Sequence, residues 1–402
     1  MRPTLIPYLV CFLFICKASF AQILTKEDSL NNSLLAKNTE TVLSGYGEGR
    51  ASYTSVTKTG SANLTRAVLF VGHKFSNTIS FFSETEVEDA KVDGGGGEIA
   101  LEQAFLKIQL NKDLYLTTGL FIPRLGIINE NHLPTTFNGV DRPFTETYII
   151  PSTWRELGIG LYGSTRSIPG LNYSLGIVNG LNSEHFNTET GIREGRFEGR
   201  DFTGNNIALT GSLLYYFQHF RIQASEYYGG TTGIAKRMAD SLQLNHGPFG
   251  SPLSLTEGDI QYTTNGLTVK ALASFINIAE ADKIIRAFNQ NVPSQLYGFY
   301  AEIGYNLLNH TNTEKKLVVF ARYEKLDMNY KVPAQGISDG ALKQQYIIAG
   351  LNFLLHRGIA FKADYVMLQT GDQNPLLVQN QYNSIPYSNR SNTFNIGFGY
   401  SF

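Results

Sequence analysis

Thr393-Phe394-Asn395-Ile396-Gly397-Phe398-Gly399-Tyr400-Ser401-Phe402 closes the chain and decides how the rest of it reads. Side chains of a strand alternate with period two. Phe394, Ile396, Phe398, Tyr400 and Phe402 therefore share one face, and Thr393, Asn395, Gly397, Gly399 and Ser401 share the other. One face is apolar and one is wettable. A soluble sandwich uses such strands to cover a core. A closed sheet standing in lipid uses them with the apolar face outward. The choice rests on the strands that precede this one.

Fifteen further strands can be counted back from it. Their spans are 43–54, 64–75, 77–88, 99–110, 113–122, 153–163, 170–179, 205–216, 220–228, 257–263, 266–276, 296–307, 316–326, 344–355 and 358–369, with 392–402 the sixteenth. Strand 257–263 is the weakest of these. Ile79, Phe81 and Val87 oppose Ser80, Glu84, Glu86 and Glu88. Leu317, Val319, Ala321 and Tyr323 oppose Lys316, Arg322 and Glu324. Charges are costly towards lipid, so the second face should line a lumen. This makes Glu84, Glu86, Lys107, Glu156, Lys270, Lys316, Arg322, Glu324 and Lys362 the lumen-lining candidates.

Connections at one end are a few residues long, as at Asn111-Lys112, Thr264-Asn265 and His356-Arg357. Those at the other end are long: 89–98, 123–152, 180–204, 229–256, 277–295, 327–343 and 370–391. Segregation of loop length by side is the layout of an all-β, membrane-spanning antiparallel barrel of about sixteen strands, with short periplasmic turns and long extracellular loops. An even strand count puts both termini on the periplasmic side. Closure then pairs the last strand with 43–54, through Gly45-Tyr46-Gly47-Glu48-Gly49.

The start of the chain reads as an export signal. Arg2 supplies a positive charge, Leu5 to Cys16 is apolar apart from Tyr8, and Ser19-Phe20-Ala21 sets small residues for cleavage before Gln22. Residues 1–21 are thus a leader and 22–42 a polar periplasmic lead-in. Cys11 and Cys16 both lie in the leader, and bulky Ile15 argues against lipid attachment at Cys16. The mature chain holds neither disulfide nor thiolate metal site. Of 33 Lys and Arg, removal of Arg2 and Lys17 leaves 31 against 34 Asp and Glu, net −3, which is no nucleic-acid signature. Phe and Tyr, 26 and 22 of them, suit the aromatic girdles of a barrel. Asp93-Gly94-Gly95-Gly96-Gly97 is a loop tip that lacks the Lys of a phosphate-binding loop. Residues 278–289, with Ile278, Ile284, Ile285 and Phe288, suit a short helix.

The closing strand with its C-terminal Phe resembles the assembly signal of outer-membrane β-barrels. Segment 123–152 is too long for a mere connector. It carries Arg124, Glu130, Asp141, Arg142 and Glu146, and is followed by Trp154 and Arg155. Stretches Gly119–Gly126, Asn129–Pro143 and Pro151–Gly158, with Gly191-Ile192-Arg193-Glu194-Gly195-Arg196, resemble the phosphate-selective porin O and P type in its Bacteroidetes-like version. The resemblance runs over most of 43–402. It implies a passive outer-membrane channel, narrowed by a loop folded into the barrel and trimeric as such porins usually are. It implies membrane lipid, the barrel-assembly machinery and small hydrophilic solutes as partners, and no cofactor. Phosphate selectivity does not follow, because the inferred lumen charges are mixed in sign.

Arg124, Glu130, Asp141, Arg142 and Arg155 are the constriction candidates, since charges in a narrow pore act at low effective dielectric. The plainer reading is that Asp141, Arg142 and Glu156 pin the loop to the wall. His132 is a candidate ligand or pH sensor against the plainer reading of a structural histidine. Trp154 is an interface anchor or loop wedge rather than a sugar platform. The histidines fall at turns and loops without a Ser–His–Asp spacing, so no enzyme is expected. The alternative function is a closed barrel acting as an adhesin or envelope-structural protein through its long loops.

Overall fold

The computed structural model describes residues 40–93, 96–200, 204–377 and 387–402. The expected leader and residues 22–39 of the lead-in lie outside the described residues. Sixteen antiparallel strands close into one barrel, each paired with its sequence neighbours and the first with the last. They are β1 (Thr41–Thr54), β2 (Thr59–Lys74), β3 (Ile79–Asp93), β4 (Gly96–Asn111), β5 (Leu114–Phe121), β6 (Glu156–Ser164), β7 (Leu171–Asn179), β8 (Ile207–Phe217), β9 (Phe220–Gly229), β10 (Leu253–Thr264), β11 (Leu267–Ile278), β12 (Gln295–Asn306), β13 (Lys316–Lys331), β14 (Lys343–His356), β15 (Ile359–Thr370) and β16 (Arg390–Ser401). Among the described residues three α-helices sit in loops: α1 (Phe144–Tyr148), α2 (Lys236–Ser241) and α3 (Ala281–Phe288). The last matches the helix expected near 278–289. No helix among the described residues is long and apolar enough to cross a membrane.

All sixteen expected strands are present, and several boundaries shift. β2 starts at Thr59, five residues before the expected span, and β13 runs on to Lys331, five residues beyond it. The barrel begins at Thr41, two residues inside the expected lead-in. Residues 153–155 belong to the long loop rather than to β6. The connection expected at 89–98 is instead a hairpin continuing until Asp93 pairs with Gly96. β10 starts at Leu253, four residues before the expected span. Asn265 and Gly266 both have positive φ, 43° and 82°, so the β10–β11 turn is type I′, whose twist matches the flanking strands.

The outward face is an apolar belt. Ile159, Leu175, Ile177, Leu213, Ile303, Ile347, Phe361 and Phe394 are each exposed among their neighbours around the ring. A soluble monomer does not present a continuous apolar girdle of this kind. The seam joins the two expected strands, with Tyr46 opposite Ser401 and Gly49 opposite Phe398.

The apolar core lies inside the barrel. Leu125, Ile149, Ile150 and Trp154 of loop 122–155 pack with Leu253, Leu255, Leu272, Ile276, Leu296 and Leu326 of the wall. Each fully buried Leu or Ile contributes about 1.5–3 kcal/mol. The loop is thus held in the lumen by the hydrophobic effect, and its polar contacts set its position there.

Candidate functional site

Asn129 clasps the two ends of loop 122–155. Its Nδ2 donates to the carbonyls of Pro123 at 2.9 Å and Trp154 at 3.3 Å, while its Oδ1 accepts from the Trp154 amide at 2.7 Å. The Trp154 indole is fully buried, packs on Tyr227 at a 45° tilt with centroids 4.6 Å apart, and donates from Nε1 to Glu156 at 2.6 Å. It is a wedge inside the barrel, and its place is not the membrane interface.

Glu146, on α1, gathers three donors. Its Oε2 accepts from the amides of Ile127 at 2.9 Å and Ile128 at 2.6 Å, and its Oε1 accepts from the Tyr300 hydroxyl at 2.7 Å. Burial pushes its carboxyl up to about 7, although these donors pull it the other way. Gly126 beside it has φ +73°, and a Cβ there would stand 2.8 Å from Glu146 Oε2. The loop tip is pinned on the opposite wall. Asp364 Oδ2 accepts from the Val140 amide at 2.6 Å, Glu324 accepts from the Thr145 amide at 2.9 Å, and Arg322 donates to the Asn138 carbonyl at 3.2 Å.

Two cavities lie on either side of this loop. One, of about 700 Å³, is lined by Arg50, Arg66, Arg142, Arg155, Arg196 and Lys362 together with Glu48, Glu86, Asp141 and Glu198. The other, of about 840 Å³, reaches the short turns at Gln218, His219, His356 and Arg357, under Gly126–Ile128 and Asn131.

The five constriction candidates separate into two groups. Arg124 is buried, paired with Glu130 at 2.8 Å, and lies over the Tyr162 ring. Burial opposes its charge, and Glu130 with the nearby tyrosines more than offsets that, holding the guanidinium above its ordinary range. The Arg124–Glu130 pair therefore ties the loop to itself, Arg124 holds it against Tyr162 of the wall, and Glu130 lines the second cavity. Asp141, Arg142 and Arg155 line the first cavity. Asp141 pairs with Arg50. Arg155 pairs with Glu198 at 2.9 Å, and the same carboxylate takes Arg196 at 2.7 Å. Arg196 is pushed down to about 10 by burial, with Arg193 and Arg155 adding to it. Arg142 donates to Thr153 Oγ1 at 3.3 Å and, among the described residues, has no carboxylate within ion-pair distance. Burial and neighbouring Arg66 push it below its ordinary range.

The lumen-lining candidates point inward in register, with one exception. Glu86 lies 3.6 Å from Arg66, Lys107 stands 3.9 Å over the Tyr115 ring, Lys270 lies 3.8 Å from Glu302, and Arg322 pairs with Glu302 at 3.1 Å and Glu324 at 2.9 Å. Lys362 stands 3.6 Å over the Phe137 ring. Glu84 accepts from Gln103 at 2.9 Å, and Glu156 from Trp154 and Asn179. Lys316, at the short-turn end of β13, is exposed and does not line the lumen, because the inward row ends there in solvent. Most of these charges are paired to one another or to the loop. Of the three residues expected to pin the loop by ion pairs, Asp141 pairs with Arg50, whereas Glu156 takes the Trp154 indole and the Asn179 amide and Arg142 reaches Thr153, neither with an ion pair among the described residues.

Strand parity alone misses Tyr46, Arg66 and Glu102, which meet His132. β4 carries a register shift after Glu84, so that Glu84 faces Gln103 and Thr85 faces Leu101. The extra residue lets Glu102 and Gln103 both turn inward, as a β-bulge does. β2 has a similar shift, where Glu48 faces Arg66 and Gly49 faces Leu64. Arg196 belongs to the stretch already singled out at Gly191–Arg196, and Glu198 lies two residues beyond it. His73 and His356 fall at strand ends rather than in loops.

No family model matches the chain. An uncharacterized protein of Aquifex aeolicus (strain VF5) is 32% identical over 317 residues, covering 76% of this chain and 70% of that one. Solved structures with a similar fold include a Salmonella typhi OmpF complex with daunomycin, at 15% identity and a TM-score of 0.53, covering 90% of this chain and 97% of that one. An anion-selective porin from Comamonas acidovorans shows 10% identity and a TM-score of 0.53, with 90% and 99% covered. The outer-membrane channel DcaP of Acinetobacter baumannii shows 12% and 0.52, with 90% and 97% covered. Identities this low carry the fold and nothing finer, whereas the Aquifex match carries kinship: the chain belongs to one family with that protein and has the sixteen-strand fold of outer-membrane porins.

Proposed function

We propose that the protein is an outer-membrane porin, a passive diffusion channel for small hydrophilic solutes or ions. The observation that carries this reading is the pairing of a continuous apolar outer belt with an inward face of charged side chains and a long loop folded among them. Barrels of sixteen to eighteen strands are wide enough to hold an aqueous path. Under this proposal the long loops are extracellular and both termini periplasmic. The β16 face is read by the barrel-assembly machinery, and the barrel forms trimers.

The finer kinship with phosphate-selective porins belongs to the same proposal and is supported by the stretches at Gly119–Gly126 and Asn129–Pro143. The first cavity holds guanidinium groups, but Glu48, Glu86, Asp141 and Glu198 stand among them, which favours weak discrimination by sign. Reconstitution in a planar bilayer tests the reading. Stepwise conductance is expected, with a small reversal potential in a salt gradient. Absence of conductance above background from folded protein refutes it.

A further inference from the structure

We infer that Glu84, Glu102 and His132 form a binding site for a first-row divalent cation of the Zn²⁺ class, fastening the lumen loop to the barrel wall. A carboxylate oxygen from each glutamate and a ring nitrogen of His132 lie within 4.8 Å of one another, and all three residues are buried. The inference is independent of the channel reading.

The hydrogen bonding around His132 is short of donors. Its Nδ1 lies 2.9 Å from the Asn129 carbonyl, which only accepts, so Nδ1 carries a proton. In the neutral ring Nε2 is then a lone pair. The Tyr46 hydroxyl stands 2.7 Å from that Nε2 and 2.7 Å from Glu102 Oε2. One phenolic proton serves only one of the two acceptors. Nε2 and Oε2 are 3.5 Å apart, long for a hydrogen bond. That separation is close to the edge of roughly 3.3 Å in a tetrahedron with bonds of about 2.0–2.1 Å.

Charge points the same way. The Arg66 guanidinium is shared by Glu48 at 2.8 Å, Glu86 at 3.6 Å and Glu102 at 3.9 Å. The contact to Glu102 is through Oε1, leaving Oε2 for the His132 side. Gln103 spends its Nε2 on Glu84, and its buried Oε1 has no hydrogen-bond partner. Another acceptor thus stands beside the glutamate without a donor.

The bulge that turns Glu102 inward and the Asn129 carbonyl that orients the imidazole are the kind of support that metal ligands need. Two carboxylates and an imidazole suit Zn²⁺, Mn²⁺ or Fe²⁺ over Ca²⁺. Three ligands come from β3, β4 and the loop, so a bound cation joins elements that are otherwise linked by hydrogen bonds.

The test uses untagged full-length protein in detergent, stripped with EDTA and titrated with Zn²⁺ by calorimetry. One Zn²⁺ per chain is expected. Glu102→Gln and His132→Gln should each weaken binding by roughly tenfold or more, and His356→Gln, at the end of β14, should leave it unchanged. Heat-modifiable gel mobility checks that each variant is folded. Should the two ligand variants fail to fold, pulsed EPR of Mn²⁺-loaded wild-type and His356→Gln protein decides, with one directly bound imidazole nitrogen expected in both. Failure to take up Zn²⁺ stoichiometrically overturns the site and leaves His132 as a structural partner of Tyr46 and the Asn129 carbonyl. Uptake that survives Glu102→Gln and His132→Gln, or a Mn²⁺ signal without imidazole nitrogen, overturns it as well.

Discussion

Gly45 and Phe402 exchange main-chain hydrogen bonds across the seam, Gly45 N to Phe402 O at 3.2 Å and Phe402 N to Gly45 O at 2.9 Å. The same neighbourhood explains the glycine run of β1. A Cβ at Gly45, Gly47 or Gly49 would stand 2.9, 2.8 or 2.7 Å from the rings of Phe402, Tyr400 and Phe398, respectively. The aromatic row of β16 lies across the bare backbone of β1, and the last bond of the barrel depends on that space.

Gly49→Ala should therefore destabilise the closed barrel by about 1–3 kcal/mol through overpacking. Urea titration followed by heat-modifiable mobility measures it. Phe398→Ala in the same chain should restore much of the loss, since the nearest atoms to the new Cβ belong to that ring. Equal loss with or without Phe398 would show that the ring is not the obstacle.

Glu146 should make loop docking depend on pH. Its carboxyl titrates near 7 when docked, above its ordinary 4.5. A raised acid holds its proton longer in the docked state. Docking is then strongest below pH 4.5 and weakens as pH rises towards and past 7, by about 3 kcal/mol at most. Current noise in single-channel records should grow from pH 5 to pH 8. Glu146→Gln should flatten that dependence, and a variant that keeps it would shift the cause to another group.

Trp154 offers a direct optical view of the loop, being the one tryptophan in the chain. Its emission should be blue-shifted and poorly quenched by acrylamide while the loop is docked. Glu146→Ala leaves two amides and a phenol without their acceptor, at about 1–3 kcal/mol for each buried group orphaned. Its emission should move to the red and become quenchable. Emission unchanged from wild type would mean that the apolar contacts of Ile149 and Ile150 hold the loop without Glu146.

Arg124 and Arg142 should behave differently under charge reversal. Arg142→Glu removes a cavity guanidinium that lacks an ion-pair partner among the described residues, so reversal potential should move towards cations with little loss of stability. Arg124→Glu sets a carboxylate against Glu130 in a buried place, and breaking such a pair costs about 3–5 kcal/mol. Urea stability should fall there. Equal shifts in reversal potential without loss of stability would place both residues on the solute path.

Strand number, seam and the inward direction of Glu84, Arg322 and Lys362 were legible because lipid on one side and water on the other impose period two on every strand. Where that contrast fails, so does the reading. β10 begins with Leu253 and Leu255 turned inward against the loop. Its apolar residues there answer to a protein surface instead of lipid, which is why residues 253–256 do not read as part of a strand. Glu102 was hidden by the bulge at Gln103, since one extra residue reverses the parity that alternation relies on.

The amino-acid sequence by itself determined the all-β class, the sixteen strands, the pairing of first strand with last and the presence of a long charged loop. These follow from local periodicity and turn chemistry, which need no knowledge of distant residues. Only the tertiary structure decided that Arg124 pins while Arg142 faces the cavity, that Trp154 is a wedge on Tyr227, and that Glu84, Glu102 and His132 converge. Those outcomes depend on where a thirty-residue loop settles among walls far from it in the chain, and no local pattern encodes that distance.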